Sequence, residues 1–241
     1  MTSPACGIEA LADDAWLLRF GDMLDPALNH HVHAVAARIR AMAPHWLRDL
    51  VPAFASLGVF FDPSADPQRV RAELEAMMDA VDVAQTAQRT GNTVEIPVVY
   101  GGEYGPDLES AAHELGISSS QLVARHTAGE YTVAMIGFAP GFPYLSGLDP
   151  ALALPRLATP RASVAAGSVA IGGAQTGIYP RESPGGWRIL GRTPLVLFDP
   201  RRDPPTLLQP GDRVRFIAID AIAIDAVAID AGGFDPGGFA A

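Results

Sequence analysis

Two periods of apolar residues alternate along the first third of the chain. A period of two predicts strands, and a period of three to four predicts helices with one apolar face. The shorter period is found at residues 16–20, 47–53 and 57–61, and the helical period at 28–42 and 70–81. The order strand, helix, strand, strand, helix predicts an α+β domain with two helices on one face of an antiparallel sheet.

Both predicted helices begin with the same pair of residues. Asp25–Pro26 and Asp66–Pro67 each place a carboxylate at the N-cap and a proline at the first helical position. We expect this domain to span residues 1–83. The polar segment 84–93, which contains a Gly-Asn pair, is predicted to be a linker.

Short strands and turns dominate the second half of the chain. A strand at 94–100 is followed by two short helices, of which the second begins with a capping box at Ser118 and Gln121. Strand-length runs then follow at 131–138, 168–171, 189–191, 195–198 and 213–219. Many short strands separated by glycine and proline predict a mainly-β barrel over residues 94–218. Residues 219–241 continue a period-five repeat and are predicted to form a low-complexity tail.

Composition excludes several classes of function. The net charge is −10, which opposes binding to nucleic acid and to anionic membrane surfaces. All 17 basic residues are arginine, so the chain has no P-loop, Schiff-base, biotin-carrying or amidase-type lysine. The single cysteine, Cys6, forms no internal disulfide. The sequence shows no secretory signal or membrane-spanning run, and we expect a cytoplasmic protein.

Two blocks rich in glycine, proline and aromatic residues, 136–145 and 171–193, carry the candidate binding chemistry. Loops that hold rings in a fixed geometry on a scaffold of strands are common ligand sites, and we expect these at one mouth of the barrel. The candidate substrate-binding residues are Phe138, Pro140, Gly141, Phe142, Tyr144, Gln175, Thr176, Tyr179, Ser183, Gly185, Gly186 and Trp187. Ser183 lacks a nucleophile-elbow pattern and a lysine partner, so a role in a turn is favoured over nucleophilic catalysis.

Two further residues are candidates for catalysis. His126 ends the second short helix and offers either proton transfer near neutral pH or a contact with the helix dipole. Arg192 offers a fork for a carboxylate or phosphate, or a buried ion pair that braces the barrel. His30, His31 and His33 lack an acidic or cysteine partner at ligand spacing, and no metal site is predicted.

The two blocks resemble the allophanate hydrolase subunit 1 family, over residues from about Ile8 to Phe216. That family includes the B subunit of the bacterial ATP-dependent 5-oxoprolinase, together with a sporulation-kinase inhibitor. The resemblance implies an α+β, ferredoxin-like N-terminal domain followed by a cyclophilin-like β-barrel. It also implies a histidine at the motif position of His126.

The resemblance further implies that this chain is inactive alone. It would act in an ATP-dependent 5-oxoprolinase that opens 5-oxoproline to L-glutamate, with ATP bound by the complex. The expected partners are the C subunit, which is allophanate hydrolase subunit 2-like, and the A subunit of the same enzyme. Two alternatives are a regulatory inhibitor of a histidine kinase and a urea-carboxylase-like carboxyl-transfer module, whose biotin carrier another chain would supply.

Overall fold

A computed structural model describes residues 7–23, 25–79 and 92–221. The chain divides into two compact units, Met1–Thr90 and Gly91–Ala241. Most of the predicted linker 84–93 and of the tail 219–241 lies outside the described residues, although Thr93 already begins a strand.

The first unit is an antiparallel sheet with two helices, as predicted, but the sheet has four strands rather than the three that the pattern indicated. Its elements are β1 (Gly7–Ala12), β2 (Ala15–Arg19), α1 (Pro26–Met42), β3 (Leu47–Pro52), β4 (Ser56–Phe61) and α2 (Pro67–Asp79). The strand order is β1-β2-β4-β3. This is a ferredoxin-like arrangement in which an N-terminal hairpin supplies the outer strand. The sequence pattern missed β1 because most of its residues are exposed and show no alternation.

Both helices of this unit start as their sequences predict. The Asp25 carboxylate accepts a hydrogen bond from the N–H of Ala27 at 2.8 Å, and the Asp66 carboxylate accepts one from Gln68 at 3.0 Å. Each bond satisfies a backbone donor that the first helical turn leaves free. The apolar stripes of the helices then pack with the sheet in one core.

The second unit is built around a closed seven-stranded barrel. Its elements are β5 (Thr93–Tyr100), α3 (Leu108–Glu114), α4 (Ser119–Ala128), β6 (Tyr131–Ile136), β7 (Pro143–Ser146), a 3₁₀ turn (Pro150–Leu152), β8 (Arg161–Val164), β9 (Ser168–Gly172), β10 (Gln175–Ile178), β11 (Ser183–Gly185), β12 (Arg188–Arg192) and β13 (Arg213–Ala218). The barrel order is β10-β7-β6-β13-β5-β12-β9, and β8 pairs with β11 in a separate two-stranded sheet. The predicted barrel is confirmed.

Two strand predictions need correction. The run 195–198 is not a strand, since only Phe198 forms an isolated bridge, to Thr206. Its alternating pattern arises because Leu195 and Leu197 are buried in the barrel core from an irregular segment. The predicted strand 131–138 ends at Ile136, and the chain then turns into a loop.

The glycine-rich blocks also contain strands that the sequence analysis interpreted as loops. Tyr144 lies in β7, Gln175 and Thr176 lie in β10, and Ser183 and Gly185 lie in β11. Glycine density predicted turns at these places. Several of these glycines instead leave room for aromatic rings against the sheet.

Candidate functional site

Four rings gather on one face of the second unit and define what we call the aromatic cluster: Phe142, Tyr144, Tyr179 and Trp187. The ring centroid of Phe142 lies 5.2 Å from that of Tyr179 and 5.7 Å from that of Trp187. Tyr144 lies 5.8 Å from Trp187. The steep interplanar angles are those of edge-to-face contacts, which fix ring orientation as well as burying area.

The aromatic cluster lies on the outer face of the barrel wall, not at its mouth as the sequence predicted. Val169 and Ile171 of β9 belong to the barrel core, whereas Ala170 between them packs with the rings. Successive side chains of a strand point to opposite faces, so the rings are outside the barrel. Val164 of β8 also packs with the rings, so the β8–β11 sheet covers this face.

Glycines in the strands make this packing possible. A Cβ at Gly172 would overlap the Trp187 indole, and one at Gly185 would overlap the Tyr179 phenol. Neither residue has a positive φ. Close approach of a ring, rather than a turn, therefore explains glycine at these positions.

Phe138 stands at the edge of the aromatic cluster and is 62% exposed. Its ring centroid lies 5.4 Å from that of Phe142. Its φ is 64°, a left-handed conformation that is unfavourable for a non-glycine residue. Pro140 is exposed next to it, and Gly141 at φ 80° closes the loop against Phe198. The loop thus holds an aromatic ring in solvent at a conformational cost.

Three buried polar atoms on strands β8, β10 and β11 have no hydrogen-bond partner among the described residues. They are Nη1 of Arg161, Nε2 of Gln175 and Oγ of Ser183. Buried polar groups in native proteins are almost always satisfied, so such atoms mark places where a ligand or water is bound. Gln175 and Ser183 were candidates from the sequence.

Arg161 is a residue that sequence reasoning missed. Its Nη2 donates to Oδ1 of Asp107 at 2.6 Å, and Oδ2 of Asp107 accepts from the backbone N–H of Ile189 at 2.7 Å. Arg161 faces Gly185 across the β8–β11 ladder. A prediction of the β8–β11 pairing would have brought this arginine to the second motif block, but both strands are too short to show alternation.

Positive charge acts on the phenol of Tyr179. Burial raises the pKa of Tyr179, while a hydrogen bond from the Trp187 backbone and the guanidinium groups of Arg156 and Arg161 act in the opposite direction. Arg156 also lies 5.8 Å from the centroid of the Trp187 ring, a cation–π distance. Two guanidinium groups therefore flank the aromatic cluster.

His126 lies elsewhere, in contact with the barrel core and with no exposed surface. Its ring stacks on Phe216 at a centroid distance of 4.6 Å. Nδ1 lies 2.7 Å from the Tyr100 hydroxyl and Nε2 lies 3.0 Å from Oγ1 of Thr176. Burial lowers the pKa of His126 from 6.5 to about 3, so the ring is neutral at physiological pH.

The hydrogen bonds of His126 fix its tautomer. Thr176 donates its hydroxyl proton to the carbonyl of Ala170, so its oxygen accepts from Nε2–H of His126. Nδ1 then accepts from Tyr100. Every polar atom of the ring is satisfied, and proton transfer by His126 stays a prediction that requires the barrel to open locally.

Arg192 lies away from Trp187, at the end of β9 where the backbone N–H of Tyr179 donates to the Ser168 carbonyl. It pairs with Ser168 at the start of β9, whereas Trp187 lies over Gly172 at the other end. Four residues of strand correspond to about 13 Å. Nε of Arg192 donates to the carbonyl of Ala166 at 2.8 Å, which ties the strand to the neighbouring turn.

The remaining candidates lie near the aromatic cluster or in the barrel. The carbonyl of Gly186 accepts from the N–H of Leu157 at 2.7 Å. Thr176 faces the barrel interior with His126. Within the described ranges no group of three or more His, Cys, Asp or Glu residues could hold a metal ion. Among these residues, no helix combines the length and apolar character that crossing a bilayer requires.

Curated relatives cover nearly the whole chain. A family model described as "Carboxyltransferase domain, subdomain C and D" matches residues 6–208. The chain is 44% identical to the B subunit of 5-oxoprolinase from Bacillus subtilis over 221 residues, which are 88% of this chain and 92% of the relative. The chain belongs to the family of 5-oxoprolinase B subunits. The predicted resemblance is confirmed.

Another relative within this family is more similar over a shorter stretch. The chain is 57% identical to the B subunit of 5-oxoprolinase from Escherichia coli O157:H7 over 124 residues, which are 52% of this chain and 57% of the relative.

Solved structures share the fold. A crystal structure of TTHA0988 is similar at 39% identity and a TM-score of 0.76, and it covers 86% of this chain but only 40% of that one. The family domain therefore also occurs within a much longer chain. The urea carboxylase of Kluyveromyces lactis has a TM-score of 0.71 at 18% identity, covering 93% of this chain and 22% of that one, which shows a common fold alone.

Proposed function

We propose that this chain is one component of an ATP-dependent 5-oxoprolinase, which opens the lactam of 5-oxoproline to give L-glutamate. The observation that carries the proposal is the 44% identity with a protein of that name over 92% of its length. Identity at this level across both units supports a shared activity and not only a shared fold.

The aromatic cluster suits a small cyclic amide. Phe142, Tyr179 and Trp187 are buried, so the methylene groups of 5-oxoproline would pack against the accessible edges of Tyr144 and Phe138. The amide of 5-oxoproline needs a hydrogen-bond partner. Nε2 of Gln175 is a buried donor without a partner among the described residues. Gln175 pairs with Gly172, over which Trp187 lies, so this donor belongs to the strand register that supports the rings. We assign it to the lactam oxygen.

We assign the binding of ATP to the complex rather than to this chain. A lactam is a poor electrophile, and ATP would supply the activation of its oxygen that lets water attack. The chain has no lysine and no P-loop, so its own residues do not fit a Walker-type phosphate site. ATP binding is therefore assigned to the partners.

The partners in this proposal are the A and C subunits of the enzyme. A relative that is named as a B subunit implies other chains, and TTHA0988 shows the domain as 40% of a longer polypeptide. The strained and exposed Phe138 ring would be covered when the complex forms. We place the complex in the cytoplasm, where ATP is available.

Reconstitution tests the proposal. The full chain is purified alone and together with the A and C subunits, and glutamate and ADP are measured with and without 5-oxoproline. The expected result is equal formation of glutamate and ADP that requires 5-oxoproline and all three chains. Turnover by the isolated chain, or no 5-oxoproline-dependent ADP from the full mixture, contradicts it.

The same preparation separates the two alternatives. A kinase inhibitor would bind a histidine kinase and leave lactam hydrolysis unaffected. A carboxyl-transfer module would require a biotin carrier and bicarbonate. The likeness to urea carboxylase is limited to the fold at 18% identity, so it gives the second alternative no independent support.

A further inference from the structure

A guanidinium nitrogen beside the aromatic cluster has no acceptor in the described part of the chain. Nη2 of Arg161 is bound to Asp107, whereas Nη1 is buried with no partner among the described residues. Leaving a buried donor unsatisfied is unfavourable, and more so when the group is charged. The Arg161 side chain as a whole retains 30% of its exposure, although Nη1 itself is buried.

A second unsatisfied group faces the same side. Ser183, whose Oγ is buried without a partner among the described residues, pairs with Val164, which packs with the rings. Gly185 pairs with Arg161, and the Tyr179 phenol occupies the space of a Gly185 Cβ. Residues directly opposite each other in an antiparallel pair project to the same face. Ser183 and Gly185 are two residues apart on β11 and so lie on one face of that strand, although the β8–β11 register shifts between them. The paired strands β8 and β11 thus place both orphan groups on the side of Tyr179.

The positive charge of the guanidinium groups near the Tyr179 phenol favours binding of an anion. The guanidinium groups of Arg156 and Arg161 both act on the Tyr179 phenol, in a chain whose net charge is −10. The Asp107 carboxylate is already occupied by Arg161 and by the N–H of Ile189. Since Asp107 compensates the charge of Arg161, the positive charge that remains is that of Arg156. A carboxylate bound at Nη1 of Arg161 would offset this charge and accept a charge-assisted hydrogen bond.

We propose that Nη1 of Arg161 and the Ser183 hydroxyl bind the carboxylate of the substrate, while the aromatic cluster contacts its ring. This inference rests on the proposed function, because it identifies that carboxylate as the one of 5-oxoproline. It assigns the carboxylate to Arg161 and not to Arg192, whose Nε is bound to the Ala166 carbonyl.

A pair of ligands isolates this contact. 5-Oxoproline and 2-pyrrolidinone share the lactam ring and differ only in the carboxylate. Binding of each to the assembled three-chain complex is measured by calorimetry, with competition where one ligand binds weakly. The wild-type complex is expected to bind 5-oxoproline about 10- to 100-fold more tightly, the ratio that charge-assisted hydrogen bonds supply.

The variants keep the fold while removing the contact. The double variant Asp107→Asn with Arg161→Gln leaves no buried charge unpaired. Asp107→Asn alone is its matched control, because it retains the Arg161 guanidinium. The double variant should lose about 10- to 100-fold of its affinity for 5-oxoproline and none for 2-pyrrolidinone. Ser183→Ala should show a smaller loss in the same sense. Arg201→Gln removes another paired guanidinium of the same unit and should change neither affinity.

The outcomes distinguish this inference from the proposed function. Equal affinity of the wild-type complex for the two ligands overturns the carboxylate site but leaves the lactam activity standing. An unchanged affinity of the double variant for 5-oxoproline also overturns the carboxylate site and leaves the lactam activity standing, because it would mean that only water satisfies Nη1 of Arg161. A wild-type complex that neither binds nor turns over 5-oxoproline overturns both.

Discussion

The indole of Trp187 occupies the space in which a Cβ of Gly172 would lie. We therefore predict that Gly172→Ala is destabilising by about 1–3 kcal/mol, the usual cost of overpacking. Urea denaturation followed by circular dichroism measures this. Gly7→Ala is a control, because Gly7 is a strand glycine with an open Cβ position. Equal effects of the two substitutions would contradict the close packing of Trp187 on the sheet.

The ion pair of Asp107 with Arg161 gives a second prediction. Asp107→Ala removes the acceptor of Arg161 and of the Ile189 N–H together, and leaves a partly buried cation unpaired. Breaking such a pair costs about 3–5 kcal/mol. Glu114→Ala, which breaks a more exposed ion pair with Arg188 in the same unit, should cost markedly less. Denaturation midpoints of the two variants are compared. A loss of stability in Asp107→Ala that is no larger than that in Glu114→Ala would contradict the prediction.

His126 predicts a particular dependence of stability on pH. Burial lowers the pKa of His126 from 6.5 to about 3, so between these values the unfolded chain binds a proton that the folded chain does not. Stability must then rise with pH through this window, and it is lost as the pH falls from 6.5 toward 3. The slope from this residue is up to about 1.4 kcal/mol per pH unit.

A variant isolates the contribution of His126. His126→Gln keeps a donor and an acceptor but does not titrate, so its free energy of unfolding should depend less on pH between pH 6.5 and 4.5. The variant should also be less stable at neutral pH, because it loses the imidazole ring that stacks on Phe216. The measurement is the free energy of unfolding at several pH values for both proteins. Parallel pH profiles would mean that His126 is accessible to protons in the folded state.

Phe138 gives a prediction that separates strain from function. Phe138→Ala removes the exposed ring but keeps a non-glycine residue at φ 64°, whereas Phe138→Gly removes both ring and strain. Phe138→Gly should be more stable than Phe138→Ala by about 1 kcal/mol. Both should lower 5-oxoproline turnover by the complex. Leu11→Ala, at an apolar residue 51% exposed, should leave turnover unchanged. Full activity without the Phe138 ring would contradict a role at the site.

The fold was largely predictable because local signals agreed with tertiary packing. The Asp25–Pro26 and Asp66–Pro67 starts formed the predicted caps, and helical apolar stripes became the core of the first unit. Strands β7, β10 and β11 were missed for a physical reason. Glycine lowers strand propensity, and the rings that require glycine in these strands are brought there only by the tertiary fold.

The candidate site was predictable in part. Aromatic residues between glycines indicated a cluster, and Phe142, Tyr144, Tyr179 and Trp187 do lie together. Arg161 and Asp107 could not be found, since they are 54 residues apart and are brought together only by the tertiary fold. His126 was selected by its position at a helix end, but burial of that helix end is decided by the barrel.

Fluorine NMR of the complex containing 5-fluorotryptophan tests the location of the site most directly. Trp187 is the tryptophan of the second unit, and Trp16 and Trp46 belong to the first, so assignment requires only the Trp187→Phe variant. We predict that titration with 5-oxoproline shifts the Trp187 resonance saturably, at the concentrations that support turnover, while the other two remain in place. An unmoved Trp187 resonance in a complex that is converting 5-oxoproline to glutamate would contradict a substrate site on the aromatic cluster.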